Sequence, residues 1–332
     1  MRKLIPLLFL AAACDRPAAA PATSTTSAAP QAPATAPADL SHGEAPIGTT
    51  TAPAEIDPAA PARSTSHRHK VRWEMKEARL DVTPQVTYQA WTFEGRVPGP
   101  ILRVTVGDTV DFTLVNKAPM AHSVDFHAAQ VAPSRVYTNV MPNDSIHYRW
   151  VAEVPGVFMY HCGTAPVAMH IANGMYGAVI VDPVRPRPAA REFVLVQSEF
   201  YEMAGAGKDS AVKVLDWNKL LSLAPDQVVF NGHANQYATH PIPVKAGELI
   251  RLYVLDAGPN RASSFHVVGA IFTRVFEDSR ATPTLEGVQT VQVPVGGGAI
   301  FETRLAEPGD YPFVSHAFAD ATKGAVGILK AQ

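Results

Sequence analysis

Three residues that bind metals through sulfur or nitrogen lie close together between residues 160 and 175. Cys162, His170 and Met175 are spaced as Cys-x7-His-x4-Met, and His161 directly precedes the cysteine. A thiolate, an imidazole and a thioether at this spacing indicate a metal site, although each residue taken singly could belong to an ordinary core or strand. A fold for this chain therefore has to bring these side chains to one point.

A second stretch, from His122 to His127, supplies two more imidazoles. Soft thiolate and borderline imidazole donors with a weak axial thioether are the ligand set of a blue-copper electron-transfer centre. The sequence therefore predicts a type 1 copper site formed by His122, Cys162, His170 and Met175.

Strand alternation separates these residues into two sets, because successive side chains of a strand point to opposite faces. If both stretches are strands, His122 and Cys162 share one face, and Asp125, His127 and His161 share the other. Two metal sites would then lie back to back. The His161–Cys162 peptide would join them and provide a short path for electrons.

The rest of the folded part reads as two copies of a Greek-key β-sandwich, an all-β fold. Short alternating strands with turn residues between them fill residues 71–183 and resume in 184–332, which suits the length of 332 residues. Several segments recur at a nearly constant distance of roughly 140–150 residues. Val106–Val110 recurs as Ala246–Ile250, Asp125–His127 as Ser264–His266, and Gly177–Val179 as Gly324–Val326. The second copy has no cysteine, so it has no blue site of its own.

The N-terminal part predicts export. Residues 1–14 combine a charged start with a short apolar run that ends at Cys14, which resembles a lipoprotein processing site; ordinary cleavage after Ala13 is the alternative. Residues 15–70 are rich in Ala, Pro, Thr and Ser and predict a disordered tether. We therefore expect an exported, lipid-anchored protein of the cell envelope, with Asp15 leaving inner-membrane retention open. A net charge of −2 gives no basic surface for nucleic acid.

Together these motifs resemble those of copper-containing nitrite reductases, which are two-domain cupredoxin enzymes, and in particular their lipid-anchored outer-membrane branch. The resemblance covers about residues 71–331. It implies a homotrimer with one type 1 and one type 2 copper per subunit, and one-electron reduction of nitrite to nitric oxide and water. The type 2 ligands would be His127 and His161 of one chain and His316 of its neighbour.

Three further residues are candidates for roles at the type 2 site. Asp125, on the type 2 face by strand alternation, is the candidate general acid. The resemblance adds His266 for proton delivery and Val268 as an aliphatic side chain over the copper. The electron donor would be a small periplasmic cytochrome c or cupredoxin.

Two other functions compete with nitrite reduction. A two-domain multicopper oxidase needs several His-x-His pairs, whereas this chain has only His67-Arg68-His69. A non-enzymatic tethered electron carrier with an empty type 2 site is the second alternative, and His127, His161 and His316 argue against it.

Overall fold

The computed structural model describes residues 50–205 and 210–332. The predicted signal peptide, the lipidation site Cys14 and most of the predicted tether lie outside these residues. In the described part no helix is long and apolar enough to cross a bilayer. The chain folds into two β-sandwiches, which confirms the predicted all-β fold class.

The first sandwich packs a six-stranded sheet, in the order β10-β11-β2-β1-β4-β6, on a four-stranded sheet, β3-β8-β7-β5. Alternating residues of the strands fill the space between the two sheets, where the ring of Trp73 lies 4.7 Å from that of Tyr160 and 5.2 Å from that of Phe112. The strands are β1 Arg68–Thr83, β2 Val86–Phe93, β3 Leu102–Thr105, β4 Thr109–Asn116, β5 Asp125–Phe126, β6 Ser145–Val151, β7 Gly156–His161, β8 Tyr176–Asp182, β10 Glu202–Ala204 and β11 Lys213–Leu215, and the helices are α1 Pro133–Val136 and α2 Val167–Ala172.

The second sandwich packs two five-stranded sheets, β12-β9-β14-β18-β16 and β13-β20-β19-β15-β17. Its core is built around Phe265, whose ring lies 5.0 Å from that of Phe301. The strands are β9 Arg191–Phe200, β12 Gln227–Phe230, β13 Ile242–Val244, β14 Ile250–Gly258, β15 Ser263–Val267, β16 Arg274–Glu277, β17 Thr290–Val293, β18 Gly298–Thr303, β19 Gly309–Ser315 and β20 Val326–Ala331, and the helices are α3 Trp217–Leu221, α4 Gln236–Thr239 and α5 Phe318–Thr322.

A third apolar cluster joins the two sandwiches. It contains Tyr176 and Ile180 of β8, together with Tyr253 of β14 and Ile300 of β18, all of them 1 % exposed or less. Every residue of β8 and of β14 is buried, because each strand has a sandwich core on one face and the neighbouring sandwich on the other. This interface holds the metal-site strands of the first sandwich against the second.

Residues 51–70 do not form the free tether that composition predicted. Ala52 and Ile56 are only 5 % and 4 % exposed. The Ile56 carbonyl accepts a hydrogen bond from Tyr237 Oη at 2.8 Å, and His69 Nε2 lies 2.8 Å from the buried carboxylate of Asp108. This segment, which we call the strap, is held by hydrogen bonds to its backbone and by polar side chains such as His69, so a count of large apolar residues could not reveal it.

The structure changes two further details of the predicted organisation. Strands β10 and β11 follow residue 184 in sequence but extend the sheet of the first sandwich, where Lys213 pairs with Tyr88. The equivalence of Gly177 with Gly324 is wrong by three residues. Gly324, at φ +116°, corresponds instead to Gly174, at φ +110°, because each lies between a short helix and the strand that follows it, α2 and β8 for Gly174 and α5 and β20 for Gly324.

Candidate metal centres

The first cluster of ligand-type side chains is fully buried in the first sandwich. One donor atom each from His122, Cys162 and His170 lies within 4.8 Å of the others. The two Nδ1 atoms are 3.0 Å apart, and Cys162 Sγ lies 3.2 Å from His170 Nδ1 and 3.9 Å from His122 Nδ1. Three donors of the predicted blue-copper set therefore converge on one small volume.

Different elements hold each member of this cluster in place. His122 forms a two-way backbone bridge with Val140 just before β5, and Cys162 directly follows β7. His170 lies in the last turn of α2, where its carbonyl accepts from Met175 N at 3.1 Å. Met175 is completely buried, and its carbonyl accepts from Cys162 N at 3.0 Å. The backbone thus links all three residues of the Cys-x7-His-x4-Met motif.

Burial controls the protonation of this cluster. It lowers the pKa of His122 to about 3, with a contribution from the neighbouring His170, whose own pKa falls to about 4 for the same reason. Burial also raises the pKa of the Cys162 thiol above its ordinary value, against the effect of hydrogen bonds from Ser123 and Thr164. Both imidazoles are therefore neutral at pH 7, which is the form that binds metal.

Residues around the cluster support it, and sequence reasoning missed them. Ser123 N donates to Cys162 Sγ at 3.4 Å, while Ser123 Oγ accepts from Gly163 N and Thr164 Oγ1, both at 3.1 Å. The ring of Trp91 meets the His170 ring edge-on at 5.0 Å between centroids. The adjacency of Ser123 to His122 is the one sequence signal that could have pointed to this supporting layer, which orients ligands and tunes a metal.

The second cluster lies on the opposite face and consists of Asp125, His127 and His161. The register of β5 and β7 places Asp125 directly opposite His161. His161 Nδ1 donates to the Cys162 carbonyl at 2.9 Å, so its Nε2 carries a lone pair, and this atom faces His127 Nε2 at 3.1 Å. The second cluster therefore presents two imidazole nitrogens to one point, with a carboxylate beside them.

Burial also shifts the protonation of this second cluster. It lowers the pKa of His161 to about 4 and that of His127 below its ordinary value. The Asp125 carboxylate lies 3.5 Å from His161 Nε2 and 3.8 Å from His127 Nε2, and burial raises its pKa to about 6. Asp125 thus has a pKa close to neutrality, next to the two imidazoles.

The remaining predicted site residues lie together in the second sandwich. The rings of His266 and His316 are 5.4 Å apart, and His266 Nδ1 donates to the Gln289 carbonyl at 2.8 Å. Val268 directly follows β15 and is 45 % exposed. Within one chain, His316 does not join the described cluster of His127 and His161.

One contact ties the second cluster to the second sandwich of the same chain. His127 hydrogen bonds to the backbone of Gly296, in the turn between β17 and β18. A Cβ at this glycine would lie 3.7 Å from His127 Cε1, and its φ of +76° favours glycine. No sequence motif marked Gly296, because the contact joins residues that are far apart in the chain.

The donor set of both clusters fits copper. The buried thiol with two neutral imidazoles and a nearby methionine is a soft, low-coordinate set that selects copper. In the second cluster, the Nε2 atoms of His127 and His161 lie 3.1 Å apart beside the Asp125 carboxylate, a nitrogen and oxygen donor set that also suits copper.

Comparisons with known proteins agree with this chemistry. A family model described as multicopper oxidase matches residues 74–186. The copper-containing nitrite reductase of Neisseria meningitidis is 39 % identical over 281 residues, which cover 83 % of this chain and 72 % of that protein. The copper-containing nitrite reductase of Pseudomonas chlororaphis is 31 % identical, covering 79 % and 78 % of the two chains.

A solved structure gives the same result at the level of the fold. The copper nitrite reductase from Nitrosomonas europaea superposes with a TM-score of 0.72 at 35 % identity, over 80 % of this chain and 94 % of that one. The identity exceeds 30 % over most of both chains, and the two histidine clusters lie on opposite faces of one strand pair. Together these observations assign the family. This chain belongs to the copper-containing nitrite reductases.

Proposed function

We propose that this protein reduces nitrite to nitric oxide and water, taking up one electron and two protons per nitrite. The observation that carries the proposal is the pair of clusters on opposite sides of the His161–Cys162 peptide. One cluster has the ligands of an electron-transfer centre. The other has two imidazoles and an acid, as a catalytic centre requires.

The proposed type 1 site consists of His122, Cys162, His170 and Met175. The proposed type 2 site consists of His127 and His161 with the His316 of a neighbouring subunit. Copper in these two sites would exchange single electrons and offer nitrite an open coordination position. We propose one copper of each type per subunit.

Covalent continuity supports the route for electrons. Cys162 and His161 are adjacent in sequence, and the hydrogen bond from His161 Nδ1 to the Cys162 carbonyl adds a second connection of 2.9 Å. An electron accepted beside Cys162 therefore has a short bonded path to the imidazole of His161.

Two residues are placed to handle the protons. Asp125 has a side chain that is 14 % exposed, close to both imidazoles of its cluster, so its carboxyl can give a proton to a bound oxygen and be reprotonated from solvent. His266 keeps its Nδ1 bonded to a carbonyl, which leaves Nε2 to exchange the second proton. Val268 would limit the space above the metal.

Assembly and location complete the proposal. Because His316 lies next to His266 and apart from His127 in one chain, a homotrimer that brings a neighbour's His316 to each site would complete three nitrogen ligands. We further propose lipid anchoring through Cys14, a location in the periplasm or at the outer membrane, and a small cytochrome c or cupredoxin as donor.

The competing functions have less support. The only His-x-His pair, His67 and His69, is bound to the carboxylate of Asp108, at 2.8 Å from each ring, instead of lying in either cluster. This argues against the trinuclear cluster of a multicopper oxidase. A pure electron carrier has no use for the Asp125, His127 and His161 cluster.

Electron paramagnetic resonance of the copper-loaded protein tests the proposal. We expect a narrow type 1 signal and a wider type 2 signal that shifts when nitrite is added, together with nitric oxide formation in the presence of a chemical reductant. A type 1 signal alone, in a fully loaded and assembled sample, would refute the proposal and favour the electron carrier.

A further inference from the structure

The second sandwich retains the backbone frame of the type 1 site without its ligands. In the first sandwich, Met175, just before β8, is bonded through its backbone to Cys162, which follows β7, and to His170 in α2. In the second sandwich, Ala325, just before β20, is bonded in the same way to Ser315, the last residue of β19, and to Asp320 in α5. These bonds are Cys162 N to Met175 O at 3.0 Å and Met175 N to His170 O at 3.1 Å in the first sandwich, and Ser315 N to Ala325 O at 3.2 Å and Ala325 N to Asp320 O at 3.1 Å in the second. Ser315 therefore occupies the position of Cys162, and Asp320 that of His170.

An ion pair occupies this frame in the second sandwich. Arg261 lies just before β15, and its Nε donates to Asp320 Oδ1 at 2.6 Å. Asp320 is 1 % exposed and Ser315 is fully buried. Arg261 is anchored in turn, since its backbone N donates to the buried carboxylate of Glu199 at 2.5 Å. The guanidinium of Arg261 thus neutralises the buried carboxylate of Asp320, whereas a metal ion would neutralise the Cys162 thiolate in the first sandwich.

His316 lies in the short segment that this frame closes. It directly follows Ser315, and its N donates to the Ser264 carbonyl at 2.7 Å. Four residues later Asp320 ends the segment on the buried side, with its N bonded to the Ala317 carbonyl at 2.7 Å. The imidazole of His316 is exposed, and its ring lies 4.7 Å from that of Phe318 in the same segment, so its direction depends on how the segment 315–320 is held.

We propose that the Arg261–Asp320 ion pair is a positioning element for the type 2 site, which holds the segment 315–320 so that His316 points at the neighbouring subunit. This inference rests on the proposed role of His316. A buried carboxylate that loses the cation it is paired with is strongly destabilised, and the segment relaxes to reach water or another donor. In the described residues Asp320 Oδ2 and Ser315 Oγ have no hydrogen-bond partner, so the ion pair is the side-chain contact that adds to the backbone bonds on this side of the segment.

The test compares copper binding at the two sites in full-length, copper-loaded protein. Arg261→Met removes the positive charge but keeps a side chain of similar length. Asp320→Asn removes the negative charge but keeps the shape of the side chain, and Arg261→Lys keeps a cation. Arg149→Met is the matched control, since Arg149 also pairs with an aspartate, Asp111 at 2.5 Å, but outside both histidine clusters. The type 1 site is followed by its blue absorption. The type 2 site is followed by its electron paramagnetic resonance signal while the protein is dialysed against increasing concentrations of chelator.

We expect Arg261→Met and Asp320→Asn to keep the blue absorption and to lose type 2 copper at about 10- to 100-fold lower chelator concentration, as changes in residues that orient ligands commonly do. Arg261→Lys should lie nearer the wild type. If Arg261→Met does not fold, the other two variants decide. If Arg261→Met and Asp320→Asn retain type 2 copper as firmly as the wild type does, with an unchanged type 2 signal, this inference alone is overturned. If the wild-type protein itself shows no type 2 signal, the proposed function is overturned as well.

Discussion

Subunit complementation is the sharpest consequence of where the histidines lie. His127 and His161 are 3.1 Å apart through their Nε2 atoms, whereas His316 of the same chain lies beside His266. If each type 2 site takes its third imidazole from the next subunit, His127→Ala and His316→Ala will each abolish nitrite reduction when present in every chain. Trimers that contain both variants should regain activity, because an intact site forms wherever a chain with His127 faces a chain with His316.

The size of the recovery follows from cyclic symmetry. A ring of three subunits has three equivalent interfaces, each formed by different surfaces of two neighbouring chains. Any trimer that contains both variants has an intact site at one of these interfaces, so purified mixed trimers should show about one third of wild-type activity. An unsorted mixture of equal amounts should show about one quarter, because trimers with a single variant contribute nothing.

Coexpression of the two variants with different affinity tags, followed by purification on both tags, isolates the mixed trimers. Nitric oxide formation is then measured per type 1 copper, which corrects for loading. A mixture of His127→Ala with His161→Ala is the control and should stay inactive, since both ligands come from the same chain. Absence of recovery in the His127 and His316 mixture would refute the shared site, and recovery in the control would refute the assignment of His127 and His161 to one chain.

Three further predictions concern single positions. Cys162→Ala should abolish the intense visible absorption, because the thiolate is the ligand responsible for it, and retained colour would contradict the ligand set. Asp125→Asn should lower kcat by about 10²- to 10⁴-fold, the usual contribution of a general acid, with an unchanged blue spectrum; full activity by nitrite consumption would exclude Asp125 as the acid. Hydrogen bonds from Arg68 and Arg149 lower the pKa of Asp111 to about 2, so its carboxylate stabilises the fold above its ordinary pKa and this contribution is lost as the pH falls towards 2. Urea unfolding should therefore show a smaller loss of stability between pH 5 and about 2.5 in Asp111→Asn than in the wild type, and an equal loss would count against the ion pairs.

Strand alternation was enough to divide the ligand-type residues correctly. His122 and Cys162 meet on one face, and Asp125, His127 and His161 on the other, even though only residues 125–126 of the first stretch form a regular strand. The backbone bridge between residues 122 and 140 anchors the irregular part that precedes β5. The ligand roles themselves stay predictions that the copper experiments test.

The strap and the Gly296 contact could not be predicted in this way. Ile56 is buried where Gln236 and Tyr237, about 180 residues away, form hydrogen bonds with its backbone. Gly296 reaches His127 through a turn that no local pattern relates to a metal site. Contacts of this kind depend on how complete elements pack, which residue spacing along the chain does not encode.

The shared apolar interface has a consequence for how a duplicated protein evolves. Once β8 and β14 became buried on both faces, neither copy could be deleted without exposing a sheet-sized apolar surface of the other. The second copy was therefore free to lose its metal ligands but not its fold. A second domain that is retained in this way can acquire residues that serve the metal site of the first domain. His316 and the Arg261–Asp320 ion pair are examples of such residues.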